Sequence, residues 1–282
     1  MRTKKKANPA RARRSSGYLH GYSTAERERL RRQARILEPM VHSGLPFWRR
    51  KKLIEIGSGV GAQTEILLRY YPEITITCVE RSAKQIAEAK RMLARSGQGK
   101  GRVRFAQEDA AHLSFERDSF DGAFFCWILE HVSNPAQVLS EACRVLVPGS
   151  PIVINEVLNA TFFVDPYSPK TLQYWMAFNE HQISIGGDPF VGAKLANLLQ
   201  AAGFRDIRTT VKSFHFDNRS PGARAEFIAY WSDLLTSGAP ELIAARRVSQ
   251  AVVDGMRVEL DRVARSPNAV FFYSFIQATA TA

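Results

Sequence analysis

A glycine-rich motif lies where the first predicted strand runs into a helix, and it is the clearest chemical signal in the chain. Residues 55–61 read Glu-Ile-Gly-Ser-Gly-Val-Gly. Glycines let the backbone approach a ligand closely, and the helix that follows offers unpaired N–H groups in its first turn. Gly57, Gly59 and Ala62 also fit the G-x-G-x-x-G/A pattern of dinucleotide-binding proteins. The glycines alone therefore predict a nucleotide-like ligand and leave its class open.

Acidic residues at the strand ends bear on that choice, and Glu55 helps to decide it. Glu55 stands beside the loop, where its carboxylate would repel a pyrophosphate but attract an ammonium or a sulfonium, such as that of S-adenosylmethionine. Glu80 ends the second predicted strand and can accept hydrogen bonds from two ribose hydroxyls, a feature that both classes of cofactor share, while Asp109 follows the third strand and can accept from an adenine amino group. Because the carboxyl ends of parallel strands meet at one edge of a sheet, we expect these carboxylates to surround a positively charged nucleoside.

These motifs resemble one known family. The glycine motif, Glu80, Asp109-Ala110 and the segment from Phe120-Asp121 to Leu129-Glu130-His131 are similar to class I S-adenosylmethionine-dependent methyltransferases, and more narrowly to their UbiE or type-11 small-molecule branch. The resemblance begins near residue 18 and is strongest over residues 52–157. It implies an α/β fold, a Rossmann-like doubly wound seven-stranded sheet of order 3-2-1-4-5-7-6 with an antiparallel last strand and helical lid elements. It also implies that the cofactor is S-adenosyl-L-methionine, released as S-adenosyl-L-homocysteine.

The resemblance extends to individual cofactor-binding positions. They comprise the glycine loop, the acidic strand ends and their neighbours: Tyr22, Glu55, Gly57, Gly59, Gly61, Gln63, Glu80, Arg81, Asp109, Ala110, Cys126 and Trp127. Tyr22 belongs to a segment, residues 18–22, that resembles the one closing over the methionine part of the cofactor. No metal site is expected, because the three cysteines are widely spaced and read as small buried hydrophobic residues in a reducing compartment.

Methyl transfer is an in-line displacement, and it needs a base only when the acceptor arrives protonated. The predicted catalytic residues are His131, after the fourth strand, and Glu156, at the end of the fifth. The aromatic stretch 158–190 suggests a partly apolar or planar acceptor. Four of its residues are predicted to contact that acceptor: Tyr167, Tyr174, Trp175 and His181. For each of these side chains the alternative is an ordinary structural contact.

The elements that must position these groups alternate between strand and helix. The predicted strands are residues 52–56, 74–80, 103–107, 120–127, 151–157, 207–216 and 269–278, and the predicted helices are 63–70, 82–94, 135–145 and 191–202, with further helices starting at Ser23, Ser220-Pro221 and Pro240. Continuous apolar strands in such an alternation indicate a parallel sheet covered by helices on both faces.

The same pattern predicts how the chain is organised. Residues 1–17 form a disordered basic tail and residues 18–282 a single methyltransferase domain. Within that domain we expect an N-terminal helical lid (18–50), a cofactor-binding core (51–157), a substrate-lid insertion (158–190), a second part of the core (191–218), a helical cap (219–267) and the final strand (268–282).

Composition and charge exclude several classes of protein. The 282 residues are 45% hydrophobic and 23% charged, which is typical of a globular protein rather than a disordered or fibrous one. No apolar run approaches the ~18 residues of a membrane span. The isolated cysteines indicate a reducing compartment, and a cytoplasmic protein is expected. The net charge is +12, of which +7 lies in the first 14 residues, leaving 12 − 7 = +5 for the rest. The tail is read as a solubilising segment, with an RNA-binding or targeting arm as the alternative.

Three functions remain open on the sequence. The first is methylation, most simply at oxygen or nitrogen, of a small acceptor held under a lid. The second is an RNA or protein methyltransferase using the basic tail; nucleic acid is not the expected partner, because the segment after the fourth strand reads Cys-Trp-Ile-Leu rather than Asn/Asp-Pro-Pro-aromatic. The third is a protein that binds S-adenosylmethionine without transferring methyl groups. A nicotinamide dehydrogenase is the least favoured alternative. The oligomeric state is open, and a homodimer is one of its possibilities.

Overall fold

A continuous sheet of eight strands runs through the protein, whose computed structural model describes residues 24–282. The strands are β1 (Lys52–Ile56), β2 (Thr75–Val79), β3 (Val103–Ala106), β4 (Gly122–Cys126), β5 (Pro151–Val157), β6 (Phe163–Asp165), β7 (Arg205–Phe216) and β8 (Val270–Thr281). The predictions for residues 1–23, including the basic tail, Tyr22 and the helix start at Ser23, lie outside the described residues.

The strand order confirms the predicted topology. Strands β3, β2, β1, β4 and β5 are parallel neighbours in that order, and β8 follows, antiparallel to β5. The long strand β7 pairs with the other edge of β8, so β7 and β8 are the sixth and seventh strands of the expected order. The additional strand, β6, is short and pairs with residues 270–272 of β8, beyond the end of β5.

The central strands are apolar on both sides because helices cover both faces of the sheet. All seven residues of β5 are buried. In β4, Phe124 belongs to the core on one face and Phe125 to the core on the other, and Val153 and Ile154 divide in the same way in β5. This alternation follows from the two-residue period of a strand. Two separate hydrophobic cores therefore lock the central strands in register.

Eight α-helices surround the sheet in the described part of the chain: α1 (Thr24–Val41), α2 (Ala62–Tyr70), α3 (Ala83–Ser96), α4 (Pro135–Val145), α5 (Pro169–Ser184), α6 (Leu195–Ala201), α7 (Pro221–Ala244) and α8 (Gln250–Arg265). Helices α5, α7 and α8 pack together, and α1 packs on α2 and α7. None of these helices is long and apolar enough to cross a membrane.

One predicted helix boundary is wrong. Pro240 does not begin a helix, because α7 runs through it to Ala244. A proline inside a helix removes one hydrogen bond, but the flanking residues Leu235 and Leu242 are fully buried and hold this turn of α7 against the core. The next helix starts at Gln250, where the Ser249 hydroxyl accepts a hydrogen bond from the Val252 N–H at 3.4 Å.

Candidate functional site

A cavity opens at the carboxyl ends of the central strands, and it is bounded above by helices α1 and α7. Its floor contains the glycine loop after β1, Glu80 after β2, Asp109 and Ala110 after β3, and Cys126 and Trp127 after β4. Open α/β sheets bind their ligands at this edge. The structure therefore brings most of the predicted cofactor-binding residues to one place.

The glycine loop is shaped by hydrogen bonds that only a compact backbone can make. The N–H groups of Gly57 and Ser58 both donate to the carbonyl of Val79, at 2.9 and 3.1 Å. Gly57 has a φ of 74°, and a Cβ atom there would lie 2.4 Å from Cδ1 of Ile128, a neighbouring cavity residue. Gly59, with a φ of 52°, faces open space. The loop thus leaves a cradle beside the floor of the cavity.

The Glu80 carboxylate is held rigidly at the edge of this cradle. One oxygen accepts from the Gly59 N–H at 3.1 Å and the other from the Ser82 N–H at 2.8 Å. A carboxylate oxygen has two lone pairs, so each oxygen can accept a further hydrogen bond from a ligand. Beyond it, Asp109 accepts from the Ala111 N–H at 2.9 Å. Two of the three predicted acidic positions, Glu80 and Asp109, therefore lie along the same cavity.

Glu55 requires a correction. It does not line the cavity but points into the core, with 2% of its surface exposed. The Thr64 hydroxyl donates to its carboxyl group at 2.6 Å, and burial raises the pKa of Glu55 to about 8. A protonated, buried side chain cannot attract a sulfonium. Its position supports the glycine loop from below by joining β1 to α2.

This placement predicts how a Glu55→Gln variant behaves. In the wild type, the unfolded chain loses the Glu55 proton above the ordinary pKa of 4.5, whereas the folded protein keeps it up to about pH 8. Glu55 therefore lowers stability as the pH rises through that window. Glutamine retains an acceptor for Thr64 and does not ionise, so the stability of the variant relative to the wild type should increase from pH 5 to pH 8. Urea unfolding at both pH values measures this difference. A variant whose relative stability is constant with pH would contradict it.

Of the remaining predicted cofactor-binding residues that the structure describes, all but Gly61 line the cavity. Gln63, Arg81, Cys126 and Trp127 line the cavity. Trp127 has a φ of 52°, which is unusual for a residue with a side chain, and its N–H donates to Asn155 at 2.9 Å.

Gly61 and Cys126 differ in how they relate to the cavity. Gly61 does not line the cavity; it packs against α3, where an added Cβ would lie 3.1 Å from Ala89. Burial raises the pKa of the Cys126 thiol well above its usual value, which keeps the thiol protonated. No group of three His, Cys, Asp or Glu side chains that could hold a metal ion occurs within residues 24–282 as described.

The two predicted catalytic residues lie on different sides of the loop after β4. His131 lines the cavity, with its Nε2 3.6 Å from a carboxylate oxygen of Glu130. Glu156 is fully buried behind the loop and does not line the cavity, and its Oε1 accepts from the N–H groups of Ile128 and Leu129 at 2.8 and 2.6 Å. Burial and the Glu130 carboxylate raise the pKa of Glu156 well above its ordinary value. Glu156 therefore holds the loop rather than facing the acceptor.

Of the four predicted acceptor contacts, Trp175 lines the cavity and three do not. Tyr174 is buried beside α7, where its hydroxyl donates to the carbonyl of Leu235. His181 is also buried, with its Nε2 3.3 Å from Glu241. Tyr167 is 71% exposed on the surface. Because α5 turns only one side toward the cavity, most of its polar and aromatic residues serve packing or face solvent.

The main aromatic wall of the cavity was not predicted from the sequence. Phe227, Tyr230 and Trp231 of α7 line the cavity, and their spacing of three and four residues places them on one side of that helix. Phe214 of β7 and Tyr273 of β8 complete this wall. The helical spacing was readable in the sequence, but it predicts a buried face without saying what that face covers.

Comparisons with known proteins agree with this geometry. Residues 54–154 match a family model described as a methyltransferase domain. This match lies within residues 52–157, where the resemblance to class I S-adenosylmethionine-dependent methyltransferases is strongest, and it confirms that resemblance over this segment.

Individual relatives are more distant. The O-methyltransferase cnsE of Penicillium expansum is 31% identical over 159 residues, which cover 56% of this chain and 53% of the relative. The ubiquinone/menaquinone biosynthesis C-methyltransferase UbiE of Desulfotalea psychrophila is 28% identical over 55% of this chain and 66% of its own length. The structure of a Haemonchus contortus phosphoethanolamine N-methyltransferase bound to S-adenosylhomocysteine superposes with a TM-score of 0.54 and 18% identity, over 89% of this chain and 52% of that one. The chain thus spans between half and two thirds of these relatives.

Proposed function

We propose that this protein transfers a methyl group from S-adenosylmethionine to a small, largely apolar acceptor. The observation that carries the proposal is the continuity of one cavity. The glycine loop, Glu80 and Asp109 line one end of it, and the aromatic wall of α7 lines the other. A donor and an acceptor can therefore meet inside it without leaving the protein.

The residues at the first end fit this cofactor. Glu80 has lone pairs available for two ribose hydroxyls, Asp109 can accept from an adenine amino group, and Gly57 and Gly59 present no side chain. S-adenosylmethionine, when bound, supplies a methyl group already activated by its sulfonium. The chain then has to bind, orient and exclude water, and orientation of this kind contributes roughly 7–11 kcal/mol to such reactions.

The other end suits a planar or apolar acceptor. Its aromatic rings are packed on one another: Trp175 stacks on Phe178 with ring centroids 5.6 Å apart, and Trp231 lies 4.7 Å from Tyr273. Such a surface binds flat, apolar groups well. Where the acceptor arrives as a phenol or an ammonium, His131 is the base we propose, because its ring lines the same cavity.

Helix α1 covers the cavity and is fastened at both sides. Arg31 pairs with Glu88 of α3 at 2.6 Å, and Arg32 pairs with Asp233 of α7 at 2.9 Å. Leu30, Gln33 and Leu37, on the intervening face of α1, line the cavity. We propose that α1 excludes water from the reacting groups.

The relatives support a small acceptor, since two of the three named above are an O-methyltransferase and a ubiquinone/menaquinone biosynthesis C-methyltransferase. Their names do not choose the methylated atom for this chain. Methylation at oxygen or nitrogen therefore remains the proposal made from the sequence.

Calorimetric titration tests the proposal. We expect S-adenosylhomocysteine to bind and NAD not to bind. In Glu80→Ala, the loss of the ribose contacts should weaken S-adenosylhomocysteine binding roughly 10- to 100-fold. Tritium from labelled methyl groups should also appear in small molecules of a cell extract. Binding of NAD instead would contradict the proposal, and S-adenosylhomocysteine binding without transfer to any molecule would favour a non-methylating protein.

A further inference from the structure

A buried histidine at the end of α1 holds one of the cavity's amide groups. His42 is fully buried and its ring lies nearly parallel to Phe124 of β4, with ring centroids 5.4 Å apart. Tyr70 of α2 lies along it at 6.0 Å. The Nε2 atom of His42 is 2.6 Å from Oε1 of Gln63, a residue that lines the cavity. Packing on the ring therefore fixes the position of this contact.

The position of the His42 proton follows from its surroundings. Burial lowers the pKa of His42 to about 4. Of the charges facing the ring, Glu38 raises this pKa and Arg69 lowers it. The ring is therefore neutral at pH 7 and carries one N–H. Nδ1 is buried without a hydrogen-bond partner, whereas Nε2 faces a carbonyl oxygen. The proton must lie on Nε2, which donates to Gln63.

This bond sets the direction of the Gln63 amide. With Oε1 engaged by His42, the NH2 group must point the other way. In the described part of the chain that group has no hydrogen-bond partner, yet it is not one of the buried polar atoms that lack a partner, so it is accessible. Gln63 lies in the first turn of α2, where the helix dipole favours negative charge. Gln63 therefore presents a hydrogen-bond donor, its NH2 group, to the cavity.

The strand order indicates which part of a ligand reaches it. Asp109 follows β3, Glu80 follows β2 and the glycine loop follows β1, while His42 packs on β4. A nucleoside whose base lies at Asp109 and whose ribose lies at Glu80 directs its ribose substituent past the loop toward Gln63. In S-adenosylmethionine that substituent is the amino-acid group, and a donor at a helix N-terminus favours its carboxylate over its ammonium.

We infer that His42 is a positioning residue that fixes the Gln63 amide so that its NH2 group donates to the carboxylate of the cofactor. The inference rests on the proposed function, because it assumes that S-adenosylmethionine is the ligand. An amide in the reverse orientation would bring its oxygen against the carboxylate and repel it.

The test compares two ligands, S-adenosylhomocysteine and 5′-methylthioadenosine, which lacks the amino-acid group. His42→Phe keeps an aromatic ring against Phe124 and removes the N–H. We expect this variant to bind S-adenosylhomocysteine about 10-fold more weakly and 5′-methylthioadenosine as the wild type does. In a transfer assay, KM for the cofactor should rise while kcat stays close to the wild-type value.

Two further variants complete the test. Gln63→Glu places a carboxylate against that of the ligand, so it should lose more affinity for S-adenosylhomocysteine than His42→Phe, again with unchanged 5′-methylthioadenosine binding. It also decides the question if His42→Phe does not fold. Glu38→Gln, which weakens a 2.6 Å contact between Glu38 of α1 and Arg69 of α2, is the matched control and should leave both affinities unchanged. A wild-type ratio of the two affinities in a folded His42→Phe protein, or in Gln63→Glu, overturns the inference, whereas a wild type that binds neither ligand overturns the proposed function itself.

Discussion

Gly57→Ala is expected to abolish measurable binding of S-adenosylhomocysteine while the protein remains folded. An alanine at a φ of 74° is strained by about 1–2 kcal/mol, and its Cβ would lie 2.4 Å from Cδ1 and 2.9 Å from Cβ of Ile128. Relieving that overlap must move the glycine loop or the loop after β4, both of which line the cavity. We expect an affinity loss of roughly 100-fold or more, measured by calorimetry.

The control for backbone strain is Gly97→Ala. Gly97 has a φ of 70° and ends α3, with no atom within 4 Å of an added Cβ, and it does not line the cavity. Both variants should lose about 1–2 kcal/mol of stability from strain, and Gly57→Ala should lose more because of its steric overlap. Gly97→Ala should bind S-adenosylhomocysteine normally. Wild-type affinity in a folded Gly57→Ala protein would remove the glycine loop from the binding site.

The features that could be predicted from the sequence are local ones. The positions of the glycine loop and Glu80 could be predicted because each lies where a strand ends. The turn after β1 requires glycines, and the carboxyl ends of the strands lie at the edge of the sheet that carries the cavity. The strand order followed from the family resemblance, and the continuous apolar strands independently indicated a parallel sheet. Even the last strand, about 200 residues from the glycine loop, was placed correctly between β5 and β7.

The direction of individual strand side chains was harder to predict. Glu55 lies within β1 rather than beyond its end, so its side chain is directed by the strand into the core beside Thr64. Glu156 lies within β5 and, for the same reason, is buried behind the loop that follows β4. By contrast, Glu80 and Asp109 stand just past their strands, where the backbone turns toward the cavity. A difference of two residues relative to the strand end separates Glu55, a buried support, from Glu80, which lines the cavity.

The acceptor end depended on contacts that are distant in sequence. Trp175 and Trp231 lie in α5 and α7, yet their ring centroids are 5.5 Å apart in the folded protein. Composition identified residues 158–190 as aromatic, but it could not show that α7 supplies more of the cavity wall than α5 does. That result depends on how the helices pack over the sheet, which no local pattern records.

Glu156 gives the second large expected effect, and its variants separate support from catalysis. In Glu156→Ala, the half-buried N–H group of Ile128 and the buried N–H group of Leu129 lose their acceptor. Each unpaired buried donor costs about 1–3 kcal/mol. The loop carrying Trp127 and His131 should then lose its shape, so we expect lower stability in urea unfolding together with a strong loss of methyl transfer.

Glu156→Gln should behave in the opposite way. Glutamine keeps an oxygen for the two N–H groups and cannot ionise. Because the pKa of Glu156 is raised in the folded protein, the wild type loses stability as the pH rises above the ordinary pKa of the unfolded side chain, 4.5, and the glutamine variant does not. We therefore expect Glu156→Gln to gain stability relative to the wild type between pH 5 and pH 8 and to retain methyl transfer. If Glu156 instead removed the acceptor's proton, Glu156→Gln would be inactive although fully folded, because an amide cannot act as a base.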